Sequence, residues 1–192
     1  MLFRENVLHK DFKRNYNNFQ FEEISNIPKI NLRGDVNNKN FVTQVGKILN
    51  TLVPVESNSS NSNNKLKIIW LSPNEWLIKI YDEKDFFIII ENLHNSLDAQ
   101  NTAITDVTES RTILKLQGSN LYKLLSKFMI IDLDKALNKE SSVAQTIFAK
   151  VPILIERNFK NEDIQNIYLH TNRSHAKYVI NLLEDGSKNI DF

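Results

Sequence analysis

Between residues 106 and 128 the chain reads DVTESRTILKLQGSNLYKLLSKF, where an alternating run ends at Gly118 and an apolar helical stripe follows at once. Strand, glycine, helix is the arrangement with which phosphate loops present backbone N–H groups to an anion. Such a loop needs several residues free to take positive φ. This turn has one glycine, the whole chain has four, and neither G-x-G-x-x-G nor G-x-x-x-x-G-K-S/T occurs. Gly118 is therefore expected to be a joint in the fold rather than an anion cradle.

Other candidate groups reduce in the same way. Asp106 and Arg111 offer a carboxylate and a guanidinium, but they flank a turn between two strands, and a pair bridging the strand ends is expected. Glu75 beside Trp76 could edge a binding pocket, yet a hairpin that buries Trp76 and solvates Glu75 is the simpler reading. His9, His94, His170 and His175 show no H-x-x-x-H or carboxylate-linked spacing of the kind zinc sites need. Ser110, Ser119 and Ser174 would act as nucleophiles only beside a base and an oxyanion hole. Each is expected as a turn residue or helix cap. No catalytic, cofactor-binding or metal-binding residue is expected on this chain.

The elements that carry these residues follow a repeated order. Residues 1–28 are polar with scattered aromatics (Phe3, Phe12, Tyr16, Phe19, Phe21) and read as an N-terminal arm. Lys29 to Arg33 is a strand, and Phe41, Val45, Ile48, Leu49 and Leu52 recur on one helical face. Residues 56–65, ESNSSNSNNK, form a polar loop. Leu66 to Leu71 and Trp76 to Tyr81 flank Ser72-Pro73-Asn74-Glu75 as a hairpin. Phe86, Ile89, Ile90, Leu93 and Leu97 mark a helix that Asp82 or Asp85 could cap, and Ala103 to Val107 is a strand.

The order then restarts. Thr112 to Leu116 is a strand, and Ser119 is the expected N-cap of a helix with Leu121, Leu124, Leu125 and Phe128. Val143 to Lys150, Pro152 to Arg157 and Ile164 to His170 are strands. A last helix with Ala176, Val179, Ile180 and Leu183 is expected to end at Gly186. The expected class is α+β, in two similar strand-helix-strand-strand-helix units with antiparallel sheets, spanning 29–110 and 111–186 with a tail at 187–192.

Composition narrows the function. At 192 residues, 41% hydrophobic and 24% charged, the chain is of ordinary globular make-up, and its net charge of +1 offers no attraction to nucleic acid or an anionic membrane. Without cysteine it has no disulfide, thiolate ligand or thiol nucleophile. No signal-peptide core or membrane-spanning run is evident, so a cytoplasmic protein is expected.

Five segments, in order, resemble one family. WLSPNEWLI at 70–78 resembles the LGPDEWLL hairpin of the gamma subunit of heterotetrameric sarcosine oxidase. DVTESRTILKLQG at 106–118 resembles that family's D-V-S-x-x-R-x-x-L-x-L-x-G. IIDLD at 130–134, AQTIFAKV at 144–151 and NRSHAKYV at 172–179 resemble its P-L-D-L segment, its Q-T-x-x-A-K-V strand and its R-S-F-A-x-Y-L helix start. The match runs from about Leu32 to Leu183. It departs at Asn120 and Leu121, which replace a small residue, at His175, which replaces Phe, and in the polar loop 56–65.

The resemblance implies the fold of the folate-binding domains of the glycine-cleavage T protein. It also implies a non-catalytic gamma subunit of a complex that demethylates sarcosine to glycine, releasing hydrogen peroxide and forming 5,10-methylenetetrahydrofolate. By the same resemblance FAD, FMN, NAD and zinc belong to the alpha, beta and delta partner subunits. The arm lies outside the match, and because its aromatics show no period it is expected to wrap the large flavin subunit. The alternative is a stand-alone folate-binding or aminomethyltransferase-like protein, whose relatives add a barrel-like third domain that the residues after 185 are too few to form. An RNA-binding module ranks last, because it would need a basic sheet with exposed aromatics.

Overall fold

In the computed structural model, which describes residues 6–8, 12–16, 18–24, 27–158 and 164–188, the chain divides into two units. One is residues 27–108, and the other is residues 109–192 together with residues 1–26.

In the 27–108 unit, short β-rich runs separated by turns form an antiparallel sheet. Its strands are β3 (Lys29–Arg33), β4 (Ser60–Ser62), β5 (Leu66–Ser72), β6 (Glu75–Ile80) and β7 (Ala103–Asp106), in the order β4-β5-β6-β3-β7. Helices α1 (Lys39–Leu49) and α2 (Glu83–Ser96) set Phe41, Val45, Leu49, Phe86, Ile89 and Leu93 against Ile30, Leu32, Ile68, Trp76 and Ile78. Each such buried side chain contributes roughly 1.5–3 kcal/mol of transfer free energy. Asn38 caps α1 through the N–H groups of Asn40 and Phe41, and Asp82 caps α2 through that of Lys84.

The expected stripe to Leu52 stops short. Asn50 takes a left-handed conformation (φ 48°) that ends α1 and turns Leu52 out to solvent. The polar 56–65 stretch also holds more structure than its composition implies. Ser60–Ser62 adds an edge strand, and the Asn61 and Asn63 amides donate to the carbonyls of Leu52 and of Leu49 and Asn50. Those bonds fasten the loop to the end of α1.

The second sheet is also antiparallel. It contains β1 (Lys13–Tyr16), β2 (Phe19–Ile24), β8 (Arg111–Gly118), β9 (Val143–Phe148), β10 (Val151–Arg157) and β11 (Gln165–Asn172), in the order β1-β2-β8-β11-β10-β9. Helices α3 (Leu121–Leu125), α4 (Leu133–Ala136) and α5 (Ala176–Lys188) line its core with Leu121, Leu124, Leu133, Val179, Ile180 and Leu183.

The N-terminal segment is thus not an arm. Phe19 and Phe21 alternate with Gln20 and Glu22, as a half-buried strand requires, and β2 pairs with β8 from Phe19↔Gly118 to Ile24↔Ile113. Leu8, Phe12, Phe19 and Phe21 are buried in this unit's core. The Glu23 carboxylate, buried there too, accepts the N–H groups of Val7 and Leu8 and the Thr112 hydroxyl. Phe3 lies outside the described residues.

The end of the chain differs as well. Helix α5 runs through Lys188, with Gly186 inside it rather than beyond it. A β-carbon at Gly186 would lie 2.7 Å from Phe128 Cζ and 3.1 Å from Leu124 Cδ1, so this glycine serves close packing.

Candidate functional site

Gly118 closes β8 between two partners, paired with Phe19 on one side and Gln165 on the other. Its φ is not positive. A β-carbon would meet Phe19 Cδ1 at 2.5 Å and the Asn18 carbonyl oxygen at 2.8 Å, so glycine is required by close approach rather than by a turn. The N-cap position of α3 belongs to Asn120, not Ser119, and no side chain caps it. The Tyr122 N–H is taken by the Gln165 side chain at 2.9 Å and the Leu124 N–H by the Asn120 carbonyl at 3.1 Å.

Beside Gly118 lies an open depression of about 430 Å³ lined by Asn15, Asn18, Phe19, Gln20, Gln117, Ser119 and Ile164. None of those side chains carries a charge. A phosphate there would meet no cation to hold it.

The Glu75–Trp76 corner is a hairpin start. Trp76 is fully buried, its indole N–H donates to the Pro54 carbonyl at 2.8 Å, and its ring sits 5.7 Å from that of Phe41. Glu75 accepts from Asn31 Nδ2 at 2.7 Å and Arg33 Nη2 at 2.8 Å, a bracket across the strands. Asp106 and Arg111 fall in different units. The Asp106 carboxylate accepts the Thr108 N–H at 2.9 Å, while Arg111 opens β8 opposite Asn172.

The histidines are dispersed. His94 is exposed on α2, His175 is in the turn of 3-10 helix (Arg173–His175) before α5, and His9 lies outside the described residues. His170 is buried on β11, its Nε2 against the Glu156 carboxylate of β10. That pair escaped the sequence reading, although Glu156 ends the apolar run PILI and His170 the run IYL. Among the described residues no three His, Asp or Glu side chains group as metal ligands. Ser110 offers its carbonyl to the Arg173 N–H, Ser174 lies in the 3-10 turn, and Ser119 lines the neutral depression.

Two tyrosines could in principle transfer protons. Burial pushes the Tyr122 hydroxyl up to about 12. Burial, with the nearby Glu156 charge, also raises that of Tyr168. Both are neutral phenols at physiological pH, unsuited to general base work.

What the surface does offer is exposed apolar side chains. In the 27–108 unit these are Leu52 and Val55 after α1, with Phe87 and Ile88 side by side on the outer face of α2. In the other unit Ile147 of β9 is half exposed, Tyr178 shows on α5, and Ile130 is fully exposed. Side chains of this kind carry binding energy by losing water against a partner. No helix among the described residues is long and apolar enough to cross a membrane.

Comparison with known proteins points the same way. The sequence model of the sarcosine oxidase, gamma subunit family matches residues 33–189. No curated protein matches by sequence. The heterotetrameric sarcosine oxidase of Corynebacterium sp. U-96, solved with pyrrole 2-carboxylate, superposes with a TM-score of 0.79 at 16% identity, over 91% of this chain and 86% of that one. The glycine cleavage system aminomethyltransferase T of Bartonella henselae superposes with a TM-score of 0.60 at 13% identity, over 84% of this chain but only 44% of its own.

Proposed function

The chain belongs to the sarcosine oxidase gamma subunit family, and on that premise we propose that it is a non-catalytic subunit of a heterotetrameric sarcosine oxidase. The complex oxidises the N-methyl carbon of sarcosine by two electrons, reduces dioxygen to hydrogen peroxide and passes the one-carbon unit to tetrahydrofolate. Glycine is the other product. FAD, FMN, NAD and zinc reside in the alpha, beta and delta subunits, and this chain meets the large flavin subunit in the cytoplasm.

The observation that carries this reading is the family match across residues 33–189. The site geometry is consistent with it, because Gly118 closes a strand, Glu75 brackets a hairpin and the candidate serines lie in turns. The chain's own contribution is then surface, and permanent heteromeric interfaces commonly bury more than about 2,000 Å². Phe87, Ile88, Ile130 and Ile147 are exposed ground for one.

Co-expression with the flavin-bearing subunits of the same organism tests the reading. Stoichiometric retention on a tagged large subunit is expected. An active oxidase that forms fully without this chain, leaving it unbound, would overturn the proposal.

A further inference from the structure

Helix α2 is apolar on two sides. Residues 86–90 read FFIII without a break, whereas a helix that lays one face on a sheet needs apolar residues only at helical spacing. Phe86, Ile89 and Leu93 meet that need in the core of the 27–108 unit. Phe87 and Ile88 are left 59% and 58% exposed. The neighbouring α1 exposes Lys39, Asn40, Thr43 and Lys47 instead, and α5 exposes one ring, Tyr178, among polar residues.

The charges on that outer stripe are ordered. Lys84, Phe87, Ile88 and Glu91 stand at i, i+3, i+4 and i+7, a single helical face opposite the buried one. Lys84 and Glu91 are both exposed, and among the described residues neither enters an ion pair. Asp85, beside the stripe, is already held by Lys65 at 2.8 Å. The Phe87 ring stands edge-on to the buried Phe86 ring, with 5.5 Å between centroids, which steadies it on the surface. The stripe therefore runs cation, two apolar side chains, anion, and its centre falls between Phe87 and Ile88.

We infer that α2 docks on the α2 of a second copy of this chain, packed antiparallel about a two-fold axis between Phe87 and Ile88. Residue 84 of one copy is then level with residue 91 of the other, because the axis lies midway between them. Lys84 meets the Glu91 of the other copy at both ends, and Phe87 covers the Ile88 of the other copy between them. A parallel pair would set Lys84 against Lys84 and Glu91 against Glu91, and is disfavoured. Any other occupant would need anion, apolar pair and cation at the same spacing in the opposite sense, which a second copy holds by identity. One helix face is a small interface, below about 1,200 Å², so the dimer is expected to dissociate on dilution. The inference goes beyond the reading of the chain as a subunit. Two complexes joined through α2 would keep exposed Ile130 and Ile147 for the flavin-bearing partner.

Sedimentation velocity of the full chain from ~1 to ~100 µM tests this, with a reversible monomer–dimer equilibrium expected. Ile88→Glu should weaken the dimer at least about a hundred-fold. Lys84→Glu and Glu91→Lys should each weaken it at least about ten-fold, by turning both attractions into repulsions, and the two together should restore it. All three positions are exposed, so the Tm of every variant is expected to stay near wild type. Rescue by a charge swap within one chain is the signature of self-pairing. Should the chain be insoluble alone, the same series is read on the complex co-purified with it. A monomer at ~100 µM, or a double swap no better than either single one, would overturn the inference and leave the subunit reading in place. So would a monomeric wild type whose retention on a tagged large subunit is lost with Ile88→Glu, because the occupant is then that subunit. A dimer of a chain that the flavin-bearing subunits never retain would overturn the subunit reading and uphold the inference.

Discussion

Apart from β1, which adds a sixth strand beyond β2, the two units place their strands in the same order, β4-β5-β6-β3-β7 in one and β9-β10-β11-β8-β2 in the other. In the 27–108 unit the strand beside β3 follows α2 in the chain, as β7. In the other unit the chain after α5 supplies no such strand among the described residues, and the place beside β8 is filled by β2, from the chain's beginning. The same sheet position is met locally once and at long range once. The order of strands in space, more than their order in sequence, defines this fold. The faces away from the helices differ too. One buries the His170–Glu156 pair, and the other buries Lys29 and Lys79 directly opposite each other.

If β2 is the counterpart of β7, its loss should have the largest effect of any change. Deleting residues 1–26 removes Leu8, Phe12, Phe19 and Phe21 from the core. Each buried aromatic is worth roughly 3–5 kcal/mol on deletion to Ala, and a whole domain is stable by only about 5–15 kcal/mol. The truncated chain is expected to lose near-ultraviolet circular dichroism and to aggregate. A soluble truncated chain with native amide protection in β8 would show that the segment is an accessory after all.

Within the local unit, Trp76→Ala should cost roughly 3–5 kcal/mol and leave the Pro54 carbonyl without its donor. Chemical denaturation checks this, and an unchanged midpoint would contradict the burial. On the other helix-free face, Glu156→Ala should cost about 1–3 kcal/mol by leaving His170 buried without its carboxylate partner. Replacing both residues by Leu should recover most of that loss. If the double variant is as unstable as the single one, the pair does more than satisfy itself.

The long-range joint can be probed more gently. Gly118→Ala forces a methyl against Phe19 and the Asn18 carbonyl, an overpacking expected to cost about 1–3 kcal/mol. Phe19→Leu should partly relieve it. Additive losses in the double variant would deny that the two residues meet. The smallest effect expected is none at all. Tetrahydrofolate or phosphate should leave the Tm of the isolated chain unchanged, and a saturable rise obeying mass action would favour the folate-binding alternative.

Much of this was legible in the residues because local rules carry it. The 72–75 turn, the buried Trp76 and the stripes of α1 and α2 depend on spacing within about ten residues of chain. What escaped depends on partners far away in sequence. Phe19 and Phe21 alternate with polar residues, but a run that short becomes a strand only when β8 is there to receive it. Gly186 has the look of a helix terminator, yet Phe128 and Leu124 require it inside α5. Glu156 and His170, on neighbouring strands, have no spacing that announces their contact.

The central claim is that the chain works by assembly and holds no reactive group of its own. Native mass spectrometry of the complex purified from co-expression tests this most directly. The account predicts an intact complex from which activation ejects this chain as bare 22.4 kDa polypeptide, with the flavins and zinc staying on the other subunits. Ejection of the chain with a flavin, folate or metal attached, or an oxidase complex that does not contain it, would contradict the account.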